Sequence, residues 1–122
     1  MTNQITQDVL LLSASTLVGD DVVNLQGEKI GKLEEIMLDI NEGRIGYAVV
    51  SFGGVLGLGN KLFAVPWASL TVDTDKKQLV MDADVERLKK APGFDKDNWP
   101  KVPNGQWVND VYSFYNVKPY WS

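Results

Sequence analysis

The sequence predicts a mainly β domain with one short helix and an aromatic, irregular C-terminal arm, and three observations carry that prediction. Over the first two thirds of the chain, turn-forming residues separate short runs rich in Val, Ile, Leu or aromatic side chains. One of those runs is apolar on both of its faces, as a strand covered on two sides requires. Beyond Ala91 the character changes, and aromatic residues gather among prolines. We therefore divide the chain into an extension over 1–11, a β domain over 12–91 and an arm over 92–122.

Gln26-Gly27-Glu28, Asn41-Glu42-Gly43 and Asp73-Thr74-Asp75-Lys76 read as hairpin turns. Between the first two, Ile30 and Leu33 do not share parity with Ile36, Leu38 and Ile40, so two-residue alternation fails at Glu34-Glu35. A β-bulge there turns both glutamates toward water. Arg44 to Phe52 is apolar or small on both faces and is the candidate for the centre of the sheet. Lys61 to Val65 ends at Pro66, which has no N–H to give to a ladder, and Trp67 packs just past that corner. Gln78 to Met81 is the last strand of the domain. Asp82 or Asp84 then caps a helix over Val85 to Ala91, which Pro92-Gly93 stops.

Eight of the twelve aromatic residues lie in the arm: Phe94, Trp99, Trp107, Tyr112, Phe114, Tyr115, Tyr120 and Trp121. Flexible linkers are Gly/Ser-rich or charged, whereas each large aromatic buries roughly 150–250 Å² when it finds a surface. The arm is too apolar to stay solvated and too sparsely patterned to build a second core. It docks on its own β domain or on a neighbouring subunit.

Composition sets the outer limits. With 44% hydrophobic and 23% charged residues the chain is an ordinary folding sequence. Twelve basic against sixteen acidic side chains, net −4, oppose the phosphate attraction behind bulk nucleic-acid binding. Nothing approaches the roughly 20 apolar residues of a membrane-crossing helix, and Met1 to Asp8 lack the basic region of a signal peptide. The expected location is the cytoplasm. Neither cysteine nor histidine is present, which removes disulfides, thiolate metal sites and the side chains most used for chemistry near neutral pH.

The spacing Gly27-x-x-Ile30-Gly31-x-Leu33-x-x-Ile36, with Asp39 before a turn, Gly43-Arg44-Ile45 after it and Val65-Pro66-Trp67 closing the unit, resembles the PRC-barrel family. Residues from about Leu12 to Ala91 fit the pattern. The family includes the cytoplasmic domain of the photosynthetic reaction-centre H subunit, the C-terminal domain of the ribosome maturation factor and many stand-alone bacterial proteins. The resemblance implies a small twisted barrel of about six strands that works as an assembly or adaptor module, with no catalytic residue to carry over. The chain is similar to the stand-alone branch, and its aromatic arm looks like a feature of that branch.

Each candidate site has a plainer reading beside it. Asp20-Asp21, Glu34-Glu35, Asp73-x-Asp75 and Asp82-x-Asp84 could hold a hard cation, but they fall at turns, a bulge and a helix start, where acids serve structure. Asp95 to Asn98 superficially matches a calcium loop, yet Pro100 stands where that loop needs glycine. The glycine-rich run Gly53 to Lys61 lacks the Ser or Thr and the following helix of a phosphate loop. Its apolar tip, Val55, Leu56 and Leu58, either contacts a partner or folds back to cap a barrel end. Seven acids against two bases between Asp20 and Glu42 form a solvated face or a docking face for a basic partner.

The reading that follows is a non-enzymatic interaction module, a homodimer with a further protein partner not named by the sequence. Its candidate contact residues are Val55, Leu56, Leu58, Trp67, Trp99, Trp107, Tyr112, Tyr115, Tyr120 and Trp121. No cofactor and no metal site is expected. The alternative is a small-molecule or metal-binding protein that uses the barrel mouth and the Gly53–Lys61 loop.

Overall fold

A computed structural model describes residues 10–52, 59, 61–100 and 105–121. One seven-stranded sheet organises them: β1 (Asp21–Val23), β2 (Lys29–Asp39), β3 (Arg44–Ser51), β4 (Lys61–Val65), β5 (Leu70–Asp73), β6 (Gln78–Met81) and β7 (Gly93–Asp95). Their order is β5-β6-β1-β2-β3-β4-β7. Three helices accompany the sheet, α1 (Ala14–Leu17), α2 (Val85–Leu88) and α3 (Gly105–Phe114), together with a 3-10 turn at Trp67–Ser69.

The mainly β class is as the sequence predicts, with two differences. The strands number seven, because the start of the arm supplies β7 against β4. The sheet is not closed, since β5 and β7 stand at opposite ends of the strand order. It nevertheless curls: Leu79 of β6, Val22 of β1, Leu33 of β2, Val50 of β3 and Phe63 of β4 share one buried cluster. A flat sheet would hold β4 and β5 five inter-strand spacings of about 4.8 Å apart, farther than the short chain from Val65 to Leu70 can reach at roughly 3.3–3.6 Å per residue. Leu17 and Leu88 cover that inner cluster from α1 and α2.

Local chemistry accounts for most of the elements. Gly27 and Gly43 adopt φ +83° and +68°, the left-handed conformation that tight hairpins demand and that glycine enters without a Cβ penalty. The register of β2 on β3 shifts between Leu33 and Glu35, placing the bulge where alternation fails. Glu35 is exposed, whereas Glu34 is half-buried and accepts the Ser51 hydroxyl at 3.3 Å, so only one of the two glutamates is turned fully to water. A second irregularity, between Met37 and Leu38, has no counterpart in the parity argument. Beyond it Leu38 and Ile40 are 68% and 89% exposed. β3 is interior, one place from the middle strand β2. β4 stops at Pro66, and Asp84 caps α2 by accepting the Glu86 N–H at 3.0 Å. The ordered helix is shorter than expected, because the hydrogen bonds from Lys90 and Ala91 are turn-type bonds to Arg87 and Leu88.

The arm departs from the irregular form that the sequence suggests. Trp107, Val108, Val111, Tyr112 and Tyr115 recur at helical spacing, and α3 lays that face on the outer side of the sheet, where Ala64, Tyr47 and Phe94 complete a second cluster. The helix ends in a Schellman motif. Asn116 takes φ +56°, its N–H bonds the Ser113 carbonyl at 3.1 Å, and the Val117 N–H bonds the Tyr112 carbonyl at 3.0 Å.

Gly31 shows how tightly β2 meets the chain after β3. A Cβ added there would collide with the Ser51 carbonyl oxygen and lie 2.9 Å from Phe52 Cδ1. Backbone on one side and a buried ring on the other leave it nowhere to go. Gly31→Ala should lower stability by about 1–3 kcal/mol in chemical denaturation. Gly105→Ala, which meets nothing within 4 Å in α3, should leave stability unchanged or raise it by roughly 0.5–1 kcal/mol.

Candidate functional site

Three of the exposed large apolar side chains, Leu38, Ile40 and Trp121, gather where the β2–β3 hairpin meets the arm. Met37, Leu38, Asp39 and Ile40 come from the end of β2 and the turn, Gly46 and Tyr47 from β3, and Trp107, Val108, Tyr120 and Trp121 from α3 and the chain after it. Together with Asn41, Pro100 and Gly105 they enclose an open cleft of about 730 Å³.

A ladder of aromatic contacts sets its walls. Tyr47 meets Trp107 edge-on with centroids 5.5 Å apart, Tyr112 meets Trp121 at 4.8 Å, and Tyr120 meets Trp121 at 4.9 Å. Each is the T-shaped arrangement that ring quadrupoles favour. Hydrogen bonds then tie the arm to the hairpin. The Tyr112 hydroxyl donates to the Gly46 carbonyl at 2.5 Å and the Tyr120 hydroxyl to Asp39 Oδ2 at 2.6 Å, while within the arm Trp121 Nε1 donates to Asn109 Oδ1 of α3 at 3.1 Å. The Arg44 guanidinium lies 3.9 Å over the Tyr120 ring. On the far side, Arg87 of α2 donates to the Phe114 carbonyl at the end of α3 and stacks over the Phe114 ring.

These bonds shift the groups that make them. The Tyr120 hydrogen bond, followed by that from the Glu42 N–H, holds the Asp39 carboxyl below its ordinary value. Desolvation, then the bond to Asp39, pushes the Tyr120 hydroxyl up. Tyr115 touches both clusters and is also pushed up by burial. Its hydroxyl is buried without a hydrogen-bond partner.

The candidate contact residues distribute unevenly. Trp107, Tyr120 and Trp121 meet in the cleft. Tyr112 and Tyr115 do not line it and serve as packing residues, Trp99 meets Phe94 edge-on at 5.1 Å, and Trp67 leans on the inner cluster from the 3-10 turn. Val55, Leu56 and Leu58 lie outside the described residues. Sequence reasoning missed Met37, Leu38, Ile40 and Tyr47. The available signal was Leu38 and Ile40 flanking a polar turn, but without the second irregularity in β2 they read as ordinary strand residues.

The acidic pairs serve local structure. Asp73 accepts the Lys76 N–H at 3.2 Å and Gln78 Nε2 at 3.3 Å, Asp39 accepts the Glu42 N–H at 3.1 Å, and Asp21 pairs with Lys29 at 3.3 Å. Among the described residues no three acidic, His or Cys side chains converge as metal ligands, and no polar or charged residue is fully buried.

The family model of the PRC-barrel domain matches residues 11–88. The chain belongs to the PRC-barrel family. No curated protein matches it. In this PRC-barrel protein the matched span ends at Leu88, so α3 and the chain that walls the cleft lie beyond it. None of the described helices is long and apolar enough to cross a membrane.

Two predictions follow from the hydroxyls and the acid. Tyr112→Phe should cost about 1 kcal/mol through the lost bond to Gly46, while Tyr115→Phe should hold or raise stability, since its hydroxyl is buried unpaired; urea unfolding of both variants checks the contrast. Asp39 has a folded pKa below its unfolded value, so its stabilising contribution is present above about pH 4 and disappears as pH falls through the folded pKa. Asp39→Asn should therefore flatten the acid side of a plot of melting temperature against pH.

Proposed function

We propose that this protein is a non-enzymatic interaction module of the PRC-barrel type, self-associating and able to dock a protein partner, with the cleft between the β2–β3 hairpin and the arm as the docking site. The observation that carries this reading is the placement of Leu38, Ile40 and Trp121, 68%, 89% and 40% exposed, around one open cleft. Clustered apolar exposure rimmed by polar groups marks interaction surfaces. Aromatic anchors held by packing are the residues that dominate binding energy at such surfaces. The walls are pre-organised, because Tyr120 is fixed by Asp39 and Arg44 and Trp121 by Asn109. The absence of histidine and cysteine supports the non-enzymatic reading, and the expected cytoplasmic location belongs to the same proposal.

A second reading, a small-molecule site, is favoured by the volume alone, since about 730 Å³ falls within the usual range of ligand pockets. A thermal-shift screen against metabolites and metals separates the two, because a ligand at 100 times its Kd adds about 2.7 kcal/mol.

Full-length protein bearing Leu38→Glu is the direct test. Light scattering should show concentration-dependent association for the wild type and a tenfold or greater weakening in the variant, with the melting temperature unchanged. Equal association in both would remove the cleft from the docking surface.

A further inference from the structure

Among the described residues, the exposed large apolar side chains are Leu10, Leu11, Leu12, Leu25, Leu38, Ile40 and Trp121. All but Leu25 fall into two groups, a leucine triplet before α1 and the walls of the cleft. We propose that Leu10–Leu12 of one chain seats in the cleft of a second copy, which returns the same contact. This inference rests on the cleft being a docking site, and it names the occupant.

The two groups do not meet within one chain. Leu10, Leu11 and Leu12 are 69%, 84% and 43% exposed, and none of them lines the cleft. Their root is fixed on the other face of the sheet. Leu17 belongs to the inner cluster, and the Gly19 N–H bonds the Leu33 carbonyl at 2.7 Å while the Leu33 N–H bonds the Asp20 carbonyl at 2.9 Å. Tyr47 and Trp107 belong to the outer cluster beneath α3. The sheet stands between the triplet's root and its own cleft, whereas the cleft of another copy faces no such barrier.

The chemistry of the two groups matches. Asp39 is the one charged side chain lining the cleft among the described residues, and its carboxylate already accepts the Tyr120 hydroxyl and the Glu42 N–H. The rest of the wall is uncharged and, apart from Asn41 and the glycines, aliphatic or aromatic, so the site selects an uncharged apolar segment over a charged one. From Val9 to Gly19 the chain carries no charged side chain. Each copy has one triplet and one cleft, so reciprocal exchange uses both and closes on a two-fold axis, with no unfilled site left to propagate a filament.

The absence of cysteine makes the test clean. Full-length Leu11→Cys and Ile40→Cys variants, carrying different tags, are mixed and treated with a short bis-maleimide. Association of Leu11→Glu and Ile40→Glu is measured in parallel by light scattering. Both substituted positions are more than four-fifths exposed, so the melting temperature should hold. The expected result is a cross-link between differently tagged chains joining positions 11 and 40, with self-association weakened tenfold or more by either glutamate. Association weakened by Ile40→Glu but not by Leu11→Glu, without the cross-link, overturns the leucine occupant and leaves the cleft as a docking site for something else. In a chain carrying both Leu11→Cys and Ile40→Cys, cross-linking confined to single chains overturns exchange in favour of contact within one chain. A monomer at every concentration overturns both this inference and self-association.

Discussion

Burial of β3 and β4 on both faces is the constraint from which the rest of the molecule follows. Ala48, Val50, Phe63 and Val65 point into the curled sheet, while Tyr47 and Ala64 point the other way. Curling hides only the first set. The second needs a cover from elsewhere in the chain, and α3 supplies it. Without that cover the outer face of the two strands would be wet, at about 25 cal/mol for each Å² of apolar surface left in water.

That dependence explains why the arm is fastened at several separate points. The hairpin is tied through Gly46 and Asp39, α2 through Arg87, and the helix is closed on itself by the Asn116 turn. Each polar contact is modest alone, on the order of 1 kcal/mol. They orient the aromatic groups that carry the burial. The same fastening creates the cleft, because Tyr120 is held against the hairpin and Trp121 against α3 and Tyr120, while Leu38 and Ile40 project beside them. Structure and candidate site therefore share one cause: the cover over β3 and β4 ends short of the hairpin tip, and the residues just past its edge remain in solvent.

Legibility differed by element. Glycine turns at Gly27 and Gly43, the stop at Pro66, a helix cap at Asp82 or Asp84 and the bulge at Glu34 were all readable, because each follows from the conformational limits of one or two residues. The helical spacing from Trp107 to Tyr115 was also present, but it was obscured by prolines and by aromatics outside the helical register. The second irregularity in β2 was not readable. It depends on how Met37 and Leu38 are paired with β3, and an alternating apolar run looks the same in either register.

The sequence by itself determined the mainly β class, the positions of the turns, the membership of the PRC-barrel family and the need for the aromatic arm to find a surface. These are local or compositional properties, decided by backbone sterics and by the cost of leaving rings in water. Only the tertiary structure decided that the sheet stays open, that β7 and α3 extend the fold, and that Leu38 and Ile40 stand beside Trp121. Those outcomes depend on contacts between residues far apart in the chain, such as Tyr120 with Asp39, 81 positions away. Periodicity within a short window cannot contain them.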